Sequence, residues 1–229
     1  MRILTDIRDF FFPRQCLACG KKLQISEQVL CCDCLSQLPF THLENTPGNE
    51  MEKIFWGRFS IVRASSLLYY SRGGKVAHIL AGMKYYGRQQ VCRHMGEMLA
   101  HELQTSGFFE DVDYLLPVPL HPGRLRTRGY NQSLLLAEGI SLLTGIPVCD
   151  GLLQRVRNNQ TQTHKSAWER QENASHLFQL AGGTRLLEGK HVMLVDDVLT
   201  TGATLTSCAE VLSEIKGIHL SIVTLAWTK

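Results

Sequence analysis

No apolar stretch in this 229-residue chain reaches the roughly 18 residues that a membrane-spanning helix requires, so no integral membrane segment is expected. The leading MRILTDIRDFFFPRQC carries acids at Asp6 and Asp9 and an apolar run only three residues long, Phe10–Phe12, which does not make a secretory signal. A cytoplasmic chain is expected. A G-x-x-x-x-G-K-[ST] loop is also missing, since Gly73-Gly74-Lys75-Val76 has neither its spacing nor its hydroxyl. That excludes a P-loop nucleoside-triphosphatase. The nine histidines contain no H-x-x-x-H pair, and no Ser-His-Asp or Cys-His pattern appears. Neither a catalytic zinc helix nor nucleophilic hydrolysis is indicated. Internal repeats and low-complexity tracts are absent.

What is present is unevenly distributed. The formal charge is only +3, yet between Leu120 and Arg170 seven basic residues (Arg124, Arg126, Arg128, Arg155, Arg157, Lys165, Arg170) face three acids (Glu138, Asp150, Glu169), a local balance of +4. Such a stretch suits an anionic ligand or a solvated basic face. Five of the eight cysteines lie within residues 1–38. Cys16-Leu-Ala-Cys19, an eleven-residue gap and Cys31-Cys-Asp-Cys34 make two C-x-x-C knuckles. They supply four thiolates for tetrahedral Zn²⁺ in a segment with little core of its own. The expected ligands are Cys16, Cys19, Cys31 and Cys34, with Cys32 a competitor for the place of Cys31. This zinc is structural, because no open coordination position is visible. Cys92, Cys149 and Cys208 read as ordinary buried thiols.

Ile3, Leu4, Ile7, Phe10 and Phe11 fall at helical spacing and end at Pro13. This short amphipathic helix is expected to dock on its own protein, with peripheral attachment at the inner face of the membrane as its other use. Thr41–Lys53, containing Asn45, Pro47, Gly48 and Asn49, reads as a linker. The chain then divides into an N-terminal helix and four-cysteine module over 1–45 and a larger domain over 46–229. In the larger domain strands are expected at Ser60–Tyr70, Val112–Val118, His191–Val195 and His219–Leu225. Helices are expected at Gly74–Met83, Gln89–Leu103, Tyr130–Leu143 and Thr204–Ile215. Their alternation implies an α/β fold, a parallel sheet covered by helices on both faces. Gln154–Ala174 is polar and too long for an ordinary connection, so it reads as a disordered loop or a lid.

Val192-Met-Leu-Val-Asp-Asp-Val-Leu-Thr-Thr-Gly-Ala-Thr204 carries the strongest chemical signal. An apolar strand ends in two carboxylates, and a Thr/Gly loop then opens a helix. Amides around Thr200–Ala203 can converge on a phosphate, the helix adds its positive end, and Gly202 permits close approach. Hydroxyls of Thr200, Thr201 and Thr204 add donors. Asp196 and Asp197, at the carboxyl edge of the sheet, suit a vicinal diol as acceptors. A phosphoribosyl group answers to both halves.

This segment resembles the phosphoribosyl-diphosphate motif of type I phosphoribosyltransferases. The flanking sequence is similar to that of the ComF family of amidophosphoribosyltransferase-like competence proteins. The resemblance is carried by Pro117-Val-Pro119-Leu-His, Arg128-Gly-Tyr-Asn-Gln132, Lys84-Tyr85 with Gly87-Arg88, Gln162-Thr163, Arg170, Asn173, Phe178 and the N-terminal cysteines. It runs from about Phe10 to the C-terminus. By that resemblance Asp196 and Asp197 hold the ribose hydroxyls, Thr200, Thr201, Gly202, Ala203 and Thr204 hold the 5′-phosphate, and the turn Val118-Pro119-Leu120 faces the diphosphate. A strand ending at Pro119 is expected to leave free amides beside Arg124, Arg126 and Arg128, with Arg128 the expected phosphate clamp and the other two either clamps or solvated. Asn131 and Gln132 either fix this loop or cap the next helix. His121 reads as a surface residue. Mg²⁺ is expected to arrive with the diphosphate.

The ComF resemblance implies a role in natural transformation, handling incoming single-stranded DNA with a helicase or recombination-loading partner. Arg155 and Arg157, on the polar loop away from the diphosphate turn, are the expected nucleic-acid contacts, with Tyr130 and Trp168 as exposed aromatics for stacking. The alternative is a metabolic phosphoribosyltransferase whose acceptor no motif specifies. It would act by displacement at the anomeric carbon, helped by charge neutralisation rather than by a nucleophilic side chain.

Overall fold

A computed structural model describes residues 14–85, 89–156 and 177–229. The expected N-terminal helix, Arg157, Trp168, most of the expected lid and the motif residues Gly87, Arg88, Gln162, Thr163, Arg170 and Asn173 lie outside them. No helix among the described residues is long and apolar enough to cross a membrane.

Four parallel strands form the main sheet in the order β1 (Ile61–Tyr69), β6 (His219–Trp227), β5 (His191–Leu199), β2 (Tyr114–Pro117). Alternation along β5 gives each face its own core. Met193 and Val195 enter one cluster, Val192 and Leu194 the other. The first face is covered by α3 (Lys75–Tyr85), α4 (Gln89–Leu103) and α6 (Gln132–Thr144), the second by α7 (Ala203–Leu212). A Cβ on Gly96 would fall against the Leu136 carbonyl, and one on Gly139 against the Arg93 carbonyl, so α4 and α6 cross at backbone contact. Glycine at both positions thereby fixes α6, whose first turn reaches the carboxyl edge of the sheet.

The remaining helices are short: α1 (Cys32–Leu35), α2 (Glu50–Lys53) and α5 (Pro122–Arg128). Two expectations change here. Thr41–Lys53 is not a free linker. Asn49 caps α2 through the amides of Met51 and Glu52 and donates to the Ala64 carbonyl at 2.9 Å, while Met51 and Phe55 are fully buried. The apolar side chains of this segment go into the second core, so it packs instead of spanning. The polar loop begins later than expected, because Leu153–Arg155 (β3) pairs antiparallel with Phe178–Leu180 (β4). The cysteine knuckles share the first core with α3, and their tail bridges Phe40 to Leu68 on β1.

Candidate functional site

At the carboxyl edge β5 continues through both acids, so that Asp196 and Asp197 are strand residues with side chains to opposite sides. Asp196 Oδ1 accepts from Ser133 Oγ and from the Asp197 amide, each at 2.9 Å. Burial, and after it the charge of Asp197, pushes the Asp196 carboxyl up to about 7. Asp197 is paired with Lys84 of α3, Nζ to Oδ2 2.6 Å. Neither Ser133 nor Lys84 was legible as a partner in the sequence, because each lies on a distant helix.

Beyond β5, Thr200, Thr201, Gly202, Ala203 and Thr204 line a cup of about 30 Å³ together with Asp196. Gly202 has φ +80° and caps α7, and a Cβ there would also stand 2.9 Å from Ile54 Cγ2. Both the left-handed conformation and the close approach of Ile54, at the end of α2, demand glycine. First-turn amides of a helix have no intrahelical acceptor; of those in α7, the Ala203 amide donates to Thr201 Oγ1 at 3.5 Å, and Ala203, Thr204 and Leu205 all line this cup.

A larger cavity, about 260 Å³, joins the predicted pieces. Val118, Pro119 and Leu120, Arg128, Asp196, Asp197, Thr200 and Thr204 all line it. So do Lys84, Arg124 and Arg155, so four cations surround two carboxylates. An anionic ligand with a polar middle fits that balance. Arg124 and Arg128 are one turn apart on α5 and share a face, whereas Arg126 is not in the lining. Arg128 donates from Nη1 to Gln132 Oε1 at 2.9 Å. Asn131 does both of the jobs left open for it: its Nδ2 donates to the Val118 carbonyl, and its Oδ1 accepts from the Ser133 amide to cap α6. His121 caps α5 by accepting from the Gly123 amide.

Three expectations about this edge need correction. The turn is not rich in free amides: the Val118 amide donates to the Val195 carbonyl at 2.9 Å and Pro119 has none, which leaves Leu120. Tyr130 is buried, its hydroxyl donating to the Met83 carbonyl at 2.8 Å, so it offers no stacking platform. Arg155 does not lie apart from the diphosphate turn, because the β3–β4 pairing carries it into the cavity. Its guanidinium sits 5.5 Å over the Phe178 ring, and its Nε is buried without a hydrogen-bond partner among the described residues. Burial, then the nearby Arg124, lowers its pKa. A buried guanidinium with an open donor suits an anionic group.

The four expected cysteine ligands converge. The Sγ atoms of Cys16, Cys19, Cys31 and Cys34 lie within 4.8 Å of one another. A zinc tetrahedron with Zn–S of about 2.3 Å has edges of about 3.8 Å, and Cys19 and Cys31 are 3.8 Å apart. Burial raises the Cys16 thiol, but hydrogen bonds from the Cys31, Cys19 and Ala18 amides outweigh it and bring it down to about 7. Burial and the adjacent thiols push Cys34 up to about 12. Such a set fits a divalent cation that replaces the protons. Cys32 is exposed and outside the set, its amide donating to Glu27 Oε1 at 2.8 Å. Elemental analysis should therefore find about one zinc per chain, unchanged in Cys32→Ser and reduced in Cys19→Ser. Protein purified under reducing, chelator-free conditions without zinc would contradict this.

Residues 131–227 match the Phosphoribosyl transferase domain family, a span running from the α6 cap through the Thr200–Thr204 loop to the end of β6. The chain is 26% identical over 220 residues to competence protein F of Haemophilus influenzae, covering 90% of this chain and 93% of that one. It is 32% identical over 133 residues to the DNA utilization protein YhgH of Salmonella typhimurium, covering 57% of each. Among solved structures, a glutamine phosphoribosylpyrophosphate amidotransferase from B. subtilis is similar at 24% identity with a TM-score of 0.41, over 62% of this chain and 30% of that one.

Proposed function

We propose that this chain, which belongs to the ComF family, binds phosphoribosyl diphosphate with Mg²⁺ at the sheet edge and serves in DNA uptake by handling incoming single strands. The observation that carries the reading is one cavity holding Asp196, the Thr200–Thr204 edge and the cations Arg124, Arg128 and Arg155. The 5′-phosphate sits in the cup on the α7 amides and threonine hydroxyls. The ribose diol donates to Asp196, whose Oδ1 is already oriented by Ser133. The diphosphate meets the three arginines and the Leu120 amide. Mg²⁺ would supply further charge neutralisation on the diphosphate, held by few protein ligands and several waters.

The DNA half of the proposal rests on the names of the relatives and on the basic stretch, with Arg155 and Arg157 its contacts and a helicase or recombination-loading protein its expected partner. Because Arg155 faces the small-ligand cavity, nucleic acid and phosphoribosyl diphosphate would compete for it. Phosphoribosyl diphosphate with Mg²⁺ should raise the melting temperature. Anisotropy of a labelled oligonucleotide should show binding that weakens as salt rises, since neutralised phosphates release counterions. Absence of binding at low salt, or no salt dependence, would remove the nucleic-acid role.

A metabolic transferase is favoured by one observation. A cavity of about 680 Å³, lined by Leu125, Leu134 and Leu153, adjoins the site through Pro119, Leu120 and Arg155, and it has the size of a small-molecule pocket. In that reaction the bond from the anomeric carbon to diphosphate breaks, a bond to the acceptor forms and diphosphate leaves. Diphosphate release in the presence of bases, nucleotides or single-stranded DNA separates the two readings.

A further inference from the structure

On the phosphoribosyl reading of the cavity, we propose that the cysteine knuckle sets its ligand affinity by clamping α3, with Lys84 as the positioning residue through which the clamp acts. Both residues enclosed by the first knuckle, Leu17 and Ala18, touch this helix. Leu17 lies over Gly82, where an added Cβ would stand 3.0 Å from both Leu17 methyl carbons. The Ala18 carbonyl and His78 Nδ1 are 3.1 Å apart. His78 and Gly82 are one turn apart and form one face of α3. Lys84, two residues beyond Gly82, points about 200° around the helix, to the opposite side. There its ammonium meets Asp197 at 2.6 Å, with both side chains largely buried. The helix is also held at Met83, whose carbonyl accepts the Tyr130 hydroxyl just before α6.

The helix is thus a strut with the knuckle on one side and the ligand cavity on the other. Its effect at the cavity is electrostatic. Lys84 neutralises Asp197, which otherwise stands beside Asp196 as a second negative charge in a cavity meant for a diphosphate. A knuckle closed by metal holds Cys16 and Cys19 at fixed separation, and with them Leu17 and Ala18. An open knuckle releases the outer clamp of α3 and loosens the ion pair at its far side.

The test is calorimetric titration of the full chain with phosphoribosyl diphosphate and Mg²⁺, with zinc measured in every sample. Lys84→Met and the double change Leu17→Ala/His78→Ala should each weaken binding about fivefold or more at unchanged zinc content. The triple variant should be no weaker than Lys84→Met alone, because the changes act through one pair. Lys84→Arg should restore most of the affinity. Wild-type affinity in Leu17→Ala/His78→Ala, or losses that multiply in the triple variant, would overturn the coupling. If the double change costs zinc or folding, metal removal decides: chelation followed by dialysis back into Mg²⁺ should weaken wild type but not Lys84→Met, and equal weakening of both overturns the proposal. No binding by wild type would overturn the phosphoribosyl reading itself, whereas wild-type binding indifferent to these changes would overturn only the coupling.

Discussion

Asp196→Asn should raise the melting temperature of the empty protein at pH 8 while removing most of its phosphoribosyl diphosphate binding. Burial and the neighbouring Asp197 push the Asp196 carboxyl up to about 7, well above the roughly 3.9 of an unfolded chain. A carboxyl raised in this way favours the folded state when protonated. Its contribution is present in full below about pH 4 and is lost as pH rises to about 7. Asparagine imitates the protonated form at every pH, and its Oδ1 can still accept from Ser133 Oγ and the Asp197 amide. The gain should be roughly 4 °C or more at pH 8 for a chain of this size, shrinking to near zero at pH 4. Binding moves the other way. The amide replaces one acceptor oxygen with a donor, so the diol loses a partner and affinity should fall at least about tenfold. In the wild type, affinity should rise with pH through about 7 as the carboxylate forms. A stability gain equal at both pH values would show that ionisation of Asp196 is not its cause.

Arg155→Ala should weaken phosphoribosyl diphosphate by about tenfold or more and ribose 5-phosphate by less than about threefold, because only the former carries the group that Arg155 faces. The guanidinium rests against Phe178, and its Nε has no hydrogen-bond partner among the described residues. That arrangement costs desolvation free energy, which an incoming diphosphate offsets. Arg155→Lys should recover the charge but not the fork that binds two oxygens, and so lie between wild type and alanine. Calorimetry with both ligands reads the difference. Equal losses for the two sugars would place Arg155 at the 5′-phosphate or make its role purely structural.

The strand, loop and helix from Val192 to Leu212 were legible because their chemistry is contiguous. Apolar run, paired acids, hydroxyls and Gly202 follow one another, and local geometry suffices to turn them into a cup. The cysteine cluster was legible for the same reason, and only convergence in space could separate Cys31 from Cys32. Arg155 was misplaced because its position depends on pairing Leu153–Arg155 with Phe178–Leu180. Three-residue strands so far apart in the chain leave no periodicity. The α5 helix did carry signals, with Pro122 at its start and Gly129 in the left-handed region after its end. Its arginine-rich sequence nevertheless lacks an apolar face to mark it. Tyr130 looked exposed because it sits in a polar run, but its ring packs into the first core and its hydroxyl finds the Met83 carbonyl of α3. The Lys84–Asp197 pair joins residues far apart in sequence on different elements, and no local pattern encodes it.

The central claim, that this cavity holds phosphoribosyl diphosphate, is tested most directly by calorimetric titration of the zinc-loaded chain with that ligand and Mg²⁺. Wild type and the Asp196→Asn/Asp197→Asn variant would be compared at pH 8. The account predicts saturable binding near one ligand per chain in the wild type and none in the variant, whose fold is checked by its melting curve. Binding of equal strength in both proteins would contradict it.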